Sequence, residues 1–284
     1  NPSEDSFETL TAYNLEPEVY NFKVFHGLLR YLGSRPCSIH LKLDTGMHRL
    51  GFERNDLPEV VQVLKQNPNI HVASIFSHLA GADAADHDAF SNNQAEQFEE
   101  SAGLISASLP YRPLYHILNS PGILRLPHLQ FDMVRLGIGL YGVDPTDEDF
   151  KALQPVATLK TIISQIKTIP RGETIGYGRK GVAEKDLKLA TIAIGYADGF
   201  SRRLSQGIGE VLINGNRARV MGNVCMDMTM VDITGIEAKE GDEVIIFGSD
   251  LPIQVMAAKI DTIPYEILTN VSERVKRIFA SDGI

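Results

Sequence analysis

No apolar run in this sequence of 284 residues approaches the roughly 20 residues that cross a bilayer as a helix. Positive charge is also short, with 27 Lys and Arg against 36 Asp and Glu and a net charge of −9. That balance argues against nucleic acid and anionic membranes as principal partners. Cysteine is scarce: Cys37 and Cys225 cannot build a disulfide framework, and there is no cysteine cluster of the kind that holds a metal. No secretory segment opens the chain, so a reducing cytoplasm is the expected compartment. Internal repeats and low-complexity tracts are lacking as well. So is an initiator methionine, since the sequence begins Asn-Pro-Ser.

What remains is the composition of an ordinary globular protein, 43% hydrophobic and 22% charged, with enough apolar residues for a sizeable core in one large domain or two moderate ones. From Thr11 to Gly142 the pattern alternates. Phe22–Leu32 reads as an amphipathic helix and Ser38–Asp44 as a strand. Asp56 caps a helix over Leu57–Gln66, with Pro58 in its first turn. His71–His78 is a second strand, Ala89–Ser108 a long helix and Tyr115–Asn119 a short strand, after which Ser120 and Pro121 start a brief helix. Phe131–Gly142 (FDMVRLGIGLYG) closes this part as a β-type run. Strands separated by helices predict a parallel sheet covered on both faces. Polar residues collect just after the strands, as at the C-terminal rim of a (β/α)8 barrel.

About five strand–helix units are legible, the first poorly defined around Ala12–Tyr20, where such a barrel needs eight. At about 30 residues per unit, roughly 70–90 residues are expected ahead of Asn1. A smaller open sheet is the alternative. After Asp144-Pro145 the texture changes to β-branched residues punctuated by glycine. Val156–Thr168 is rich in β-branched residues, and strands are expected at Leu189–Ile194, Gly209–Ile213, Ala218–Val220, Thr229–Ile233 and Glu243–Phe247. Asn214-Gly215 is a hairpin signal between two of them. Helices at Ile253–Ile260 and Tyr265–Phe279 close the chain. The expected class is therefore α/β plus β: an incomplete (β/α)8 TIM-type barrel over 1–149, then a mainly antiparallel β-domain over 150–284, with the linker near Pro145–Gln154.

Several residues stand out. Arg135 is a permanent cation followed by Gly137, Gly139 and Gly142, whose amides no side chain shields. Such a place suits an anionic, flat cofactor, or else the arginine makes an ion pair in a plain barrel strand. Lys42 and Asp44 alternate onto one strand face, and Gly46 loosens the turn that returns Arg49. A lysine facing a barrel interior must be paired, deprotonated or chemically modified, and a Lys42–Asp44 ion pair would satisfy it. His78 ends its strand, where a histidine is more often structural than catalytic. His87 with Asp83, Asp86 and Asp88 reads as a solvated loop before a helix N-terminus, not as a metal site. Tyr177 lies between Gly176 and Gly178. A tyrosine with a reference pKa near 10 needs nearby cations to act as a base at neutral pH, and Arg49 and Arg179 are candidates. Tyr196 precedes a turn at Ala197-Asp198-Gly199, and Asp227 interrupts an apolar run.

Taken together, HLKLDTGMHRLGF, IFSHLAGAD, ILNSPG, DMVRLGIGLYG, IGYG, IGYADGFSRR and NVCMDMTMVD, in this order, resemble the alanine racemase family from about Leu15 to Phe279. GYADG followed by CMD is the specific part, because the barrel motifs alone also fit other cofactor-binding barrels. The resemblance implies pyridoxal 5'-phosphate as cofactor. Its phosphate would rest on Ser120, the backbone of Gly137 and Ile138, and Tyr265. Arg135 would face the pyridine nitrogen, with His78 as its hydrogen-bond partner. Lys42 matches a lysine that family members carbamylate, which would orient Arg49 toward substrate. Tyr177 matches the catalytic tyrosine, Met226 and Asp227 substrate-site positions, and Tyr196 the substrate entrance.

The implied reaction interconverts L- and D-alanine by two-base proton transfer, supplying D-alanine for peptidoglycan. The implied partner is a second copy, in a homodimer that shares the active site. The family's Schiff-base lysine has no counterpart among the lysines present, so a fragment without it, inactive alone, is expected. A racemase for serine or a broad range of amino acids is one alternative, and a non-catalytic pyridoxal-phosphate-binding protein is another. Decarboxylases of the same architecture fit poorly, since they resemble an arrangement with a carboxylate at the ring nitrogen.

Overall fold

The structure is a computed structural model that describes residues 2–144, 146 and 153–280. The chain separates into two compact units, Asn1–Gly137 and Ile138–Ile284. The boundary expected at 149/150, within a linker at Pro145–Gln154, falls largely outside the described residues.

In the first unit, α1 (Phe7–Ala12), β1 (Glu18–Val19), α2 (Phe22–Leu32), β2 (Cys37–Lys42), α3 (Leu57–Gln66), β3 (Ile70–Phe76), α4 (Asp88–Ser106), β4 (Leu114–His116) and α5 (Ser120–Arg125) follow one another. The strands form a parallel sheet in the order β1-β2-β3-β4. Helix α2 shows why the local sequence folds as it does. The Asn21 side chain accepts from the Val24 amide at 2.9 Å, capping the first turn. Val24, Phe25, Leu28 and Leu32 then share a buried stripe, and Gly33 leaves the helix at φ 61°, a conformation that suits glycine.

One face of the sheet is apolar: Ile39, Leu41, Leu43, Val72, Ile75, Tyr115 and Ile117 join the helices in the core. The other carries Glu18, His40, Lys42, Ser74, Phe76 and His116, which the strand register brings side by side (Glu18↔His40, His40↔Ser74, Lys42↔Phe76, Phe76↔His116). A register slip decides this. Ile39 faces Val72 but His40 faces Ser74, so β3 has one residue extra and Ser74 lands on the polar face. A bulge of one residue exchanges the two faces of a strand.

Three expectations need correction here. Four strands, not five strand units, are present among the described residues of this unit. Phe131–Gly142 is not a ladder strand. It is an extended segment tied to the β4 region by Asp132 N–H to Tyr115 O at 3.0 Å and Arg135 N–H to Leu118 O at 3.0 Å, followed by a 3-10 turn at Ile138–Tyr141. Two widely spaced bonds anchor Arg135 without forming a ladder. Asp56 does not cap α3 by its side chain, which instead accepts from the Glu53 amide at 2.9 Å.

In the second unit, β5 (Leu159–Ile169), β6 (Thr174–Ile175), β7 (Gly181–Val182), β8 (Leu187–Ile192), β9 (Glu210–Ile213), β10 (Asn216–Met221), β11 (Thr229–Asp232) and β12 (Glu243–Phe247) precede α6 (Ile253–Lys259) and α7 (Pro264–Asn270). Six of these strands close a barrel in the order β10-β11-β8-β5-β12-β9, with antiparallel neighbours. Closure leaves no free edge. The hairpin at Asn214-Gly215 is present, with φ 48° and 75°, joining Ile213 to its partner Asn216. The helix expected over Tyr265–Phe279 is only α7. Beyond it Arg277 turns its guanidinium onto the Val271 and Ser272 carbonyls, which closes a loop instead of continuing a helix.

Candidate functional site

Arg135 is the best-held polar side chain on the polar face of the first unit. Its Nη2 donates to Ser77 O at 2.7 Å and Ile117 O at 3.1 Å, and it lies 3.2 Å from His78 Nδ1. Its Nη1 lies 2.5 Å from His116 Nδ1. A guanidinium only donates, so both histidine Nδ1 atoms must accept. Burial, and then the Arg135 charge, push His78 down to about 4 and His116 down to about 3, so both rings are neutral at pH 7. Arg49, exposed in the loop after β2, and Lys42 add to the depression at His78. Burial also lowers Arg135 to about 10, partly countered by Glu18, which still leaves a full positive charge at neutrality. Phe76 stacks on His116 at 4.8 Å, and the Arg135 guanidinium lies 5.2 Å from the same Phe76 ring.

Lys42, only 7% exposed, pairs with Glu18 at 3.0 Å. The pairing with Asp44 that alternation suggested does not form. Asp44 instead folds its own turn, accepting from the Gly46 and His48 amides at 3.0 Å each. The strand order explains the exchange, since β1 lies against β2 and delivers a carboxylate from another strand. Ser120 begins α5 behind Asn119, whose side chain caps the helix by accepting from Gly122 N–H at 3.1 Å. The Ser120 hydroxyl accepts from Gly137 N–H at 2.9 Å. Ile138 starts the second unit and is buried in its core. The loop of Asp83, Asp86 and His87 is solvated, with Asp88 paired to Arg125 at 2.9 Å, and the described residues hold no group of three metal-ligating side chains.

The second unit positions its candidates by backbone. Gly195 packs so closely on the 225–227 loop that a Cβ there would lie 2.3 Å from Cys225 O and 2.5 Å from Asp227 N. Tyr196 N–H donates to Cys225 O at 3.0 Å and Ala197 N–H to Met226 O at 2.8 Å, so GYADG and CMD become one surface. Asp198 clasps this turn through Gly195 N–H and binds Arg274 at 2.6 Å. Tyr177 opens a 3-10 turn between Gly176 (φ 74°) and Gly178 (φ 68°), and its carbonyl accepts from Asn223 Nδ2 at 3.0 Å. Tyr177, Tyr196, Met226 and Asp227 are all exposed. Arg179, proposed to assist Tyr177, donates its Nε to Thr174 at 3.1 Å. Tyr265 lies in α7, two-fifths exposed.

The sequence reading passed over His116 and Glu18. His116 left a faint signal, a polar residue at a strand end three positions before Asn119, much as His78 stands two residues past β3. Glu18 left none, because β1 is two residues long.

The chain matches two family models, described as alanine racemase, N-terminal domain, over residues 1–145 and alanine racemase, C-terminal domain, over residues 156–279. A curated protein named alanine racemase from Desulfovibrio desulfuricans is 40% identical over 245 residues, covering 85% of this chain and 66% of that protein. One of the same name from Clostridium tetani is 36% identical over 288 residues, covering 97% of this chain and 74% of the relative. Thus the chain spans about two thirds to three quarters of the length of these relatives. The crystal structure of alanine racemase from Bartonella henselae with covalently bound pyridoxal phosphate matches with a TM-score of 0.88 at 30% identity, covering 98% of this chain and 77% of that one.

Proposed function

The chain belongs to the alanine racemase family, and from that membership we propose that it serves the interconversion of L- and D-alanine, with pyridoxal 5'-phosphate as cofactor. The observation that carries the reading is the half-buried Arg135 cation between two neutral histidines. It makes the polar face a place for an anionic group with a hydrogen-bond acceptor, and this donor set fits the cofactor. Bound there, the cofactor supplies an electron-accepting ring for the charge left when an amino acid loses its Cα proton.

The chain's own residues have separate tasks in this reading. Arg135 holds the ring nitrogen without surrendering a proton, since even at about 10 its pKa lies far above neutrality. His78 accepts from Arg135 and keeps its plane. Ser120, the backbone of Gly137 and Ile138, and Tyr265 hold the phosphate. Tyr177 moves the Cα proton on one face of the substrate, as racemisation requires a base on each side. Arg49 binds the substrate carboxylate, Met226 and Asp227 line the substrate, and Tyr196 borders the entrance. The second base in this reading is a lysine, and none of the lysines present here matches its motif. Carbamylation of Lys42 would place an anion where the ammonium now lies 3.0 Å from Glu18, so it requires that ion pair to open. The active assembly is a homodimer with Tyr177 serving the partner's site, in the cytoplasm, and the product feeds peptidoglycan.

The test is the full protein with pyridoxal phosphate and L-alanine in deuterated water. Deuterium at Cα together with D-alanine supports the reading. Cofactor binding without exchange would leave a binding protein, and faster turnover of serine than of alanine would move the specificity.

A further inference from the structure

On the polar face two hydrogen bonds and an ion-pair contact continue beyond His116. His116 Nε2 lies 3.0 Å from Ser74 Oγ, Ser74 Oγ 2.6 Å from His40 Nδ1, and His40 Nε2 3.0 Å from Glu16 Oε2. Glu16 stands before β1 at the rim, with its side chain nearly half exposed. Ser74 is fully buried.

Direction follows from Arg135. It can only donate, so His116 Nδ1 accepts and the ring proton of neutral His116 must sit on Nε2. That proton goes to Ser74 Oγ, which leaves the Ser74 hydroxyl to donate to His40 Nδ1. Neutral His40 then carries its proton on Nε2, the nitrogen that lies 3.0 Å from the Glu16 carboxylate. The chain runs one way, from the donating guanidinium at one end to an acceptor carboxylate at the other. Run backwards, it would set an N–H of His116 against the N–H of Arg135. Phe76, stacked at 6° on the His116 ring, holds the plane in which these bonds lie.

We propose that Ser74, His40 and Glu16 are positioning residues that act through His116, fixing its tautomer so that a lone pair always faces Arg135. A ligated histidine is oriented by whatever its second nitrogen binds, and here the oriented group is the arginine assigned to the cofactor ring. The consequence for catalysis rests on the functional reading above, whereas the relay itself does not.

The test is nitrogen-15 NMR of the histidine rings in the chain without cofactor, at neutral pH. His116 and His40 should each show an unprotonated Nδ1 and a protonated Nε2. Ser74→Ala should remove the acceptor of the His116 Nε2 proton and narrow that split at His116, leaving Arg135 alone to hold the tautomer. Glu16→Gln, whose side-chain carbonyl still accepts, should preserve it at His40, and Glu16→Lys, which only donates, should lose it. Glu16 is exposed enough that its variants read out even if Ser74→Ala folds poorly. In the full protein Ser74→Ala should lower kcat about tenfold with KM changed less than about twofold. A proton on Nδ1 of His116, a charged His116 ring, or a His116 signal unmoved by Ser74→Ala overturns the relay. An unchanged kcat overturns its positioning role. Failure of the wild-type full protein to bind pyridoxal phosphate would count against the functional reading and leave the NMR result standing.

Discussion

The first unit wholly or partly buries most of its candidate residues and holds them by side chains, and the second exposes most of its own and holds them by backbone. Arg135, His78, His116, Lys42 and Glu18 grip one another on one sheet face. Tyr177, Tyr196, Met226 and Asp227 ride on turns fixed by glycine contacts and main-chain hydrogen bonds. The difference teaches what each unit controls. Burial sets protonation states, because the cost of a charge depends on its surroundings. Backbone turns set position and leave the side chain free to meet a substrate.

The sharpest break in that contrast is Tyr177→Phe. The side chain is 72% exposed, so its loss should leave thermal stability within about 0.5 kcal/mol. Racemase turnover of the full protein should fall about 10²- to 10⁴-fold, the usual loss of a general acid–base group. A fall in stability instead would place Tyr177 among the held residues. Arg135→Met is the opposite case. It deprives two histidine nitrogens and the Ser77 and Ile117 carbonyls of their donor, and should destabilise the first unit by about 3–5 kcal/mol. Amide hydrogen exchange should show the loss in β2–β4 and not in the second barrel. Gly195→Ala tests the backbone side. Its Cβ would collide with the 225–227 main chain, costing about 1–3 kcal/mol, and exchange should now rise in the second unit alone.

The smallest step, counted per histidine and per pH unit, is acid sensitivity. His78 and His116 are depressed from 6.5 to about 4 and about 3, so between those values the unfolded chain binds protons that the folded chain refuses. Their contribution is whole above about 6.5 and drains as pH falls, by on the order of 1 kcal/mol per pH unit for each histidine. Urea midpoints across pH 6.5 to 4.5 should decline, and His78→Gln should flatten the slope. An unchanged slope would mean that the pocket admits enough water to charge His78.

Much of the frame was legible. Phe22–Leu32 and Leu57–Gln66 carried helical periodicity between punctuating residues, and Glu243–Phe247 and the Asn214-Gly215 turn matched local rules. Among site residues, IGYADG and CMD are each visible, and the glycine flanks of Tyr177 announce a presented side chain. Less legible was Phe131–Gly142, whose apolar texture suggests a strand although only two spaced main-chain bonds tie it to the β4 region. The C-terminal stretch failed similarly, since helical texture past Asn270 yields to arginine bonds onto carbonyls.

By itself, the sequence determined most of the segments that become helices, strands and turns, because periodicity, caps and glycine act over a few residues. It determined the chemical inventory too: a permanent cation followed by glycines, a buried-face lysine and a glycine-flanked tyrosine. Only the tertiary structure decided the partners. Lys42 meets Glu18 because β1 adds beside β2, and Ser74 joins the polar face because β3 gains one residue. His116, which the local pattern marked only faintly, becomes the acceptor for Arg135. Those contacts join residues 19 to 42 positions apart, where register and strand order, not local propensity, choose what touches.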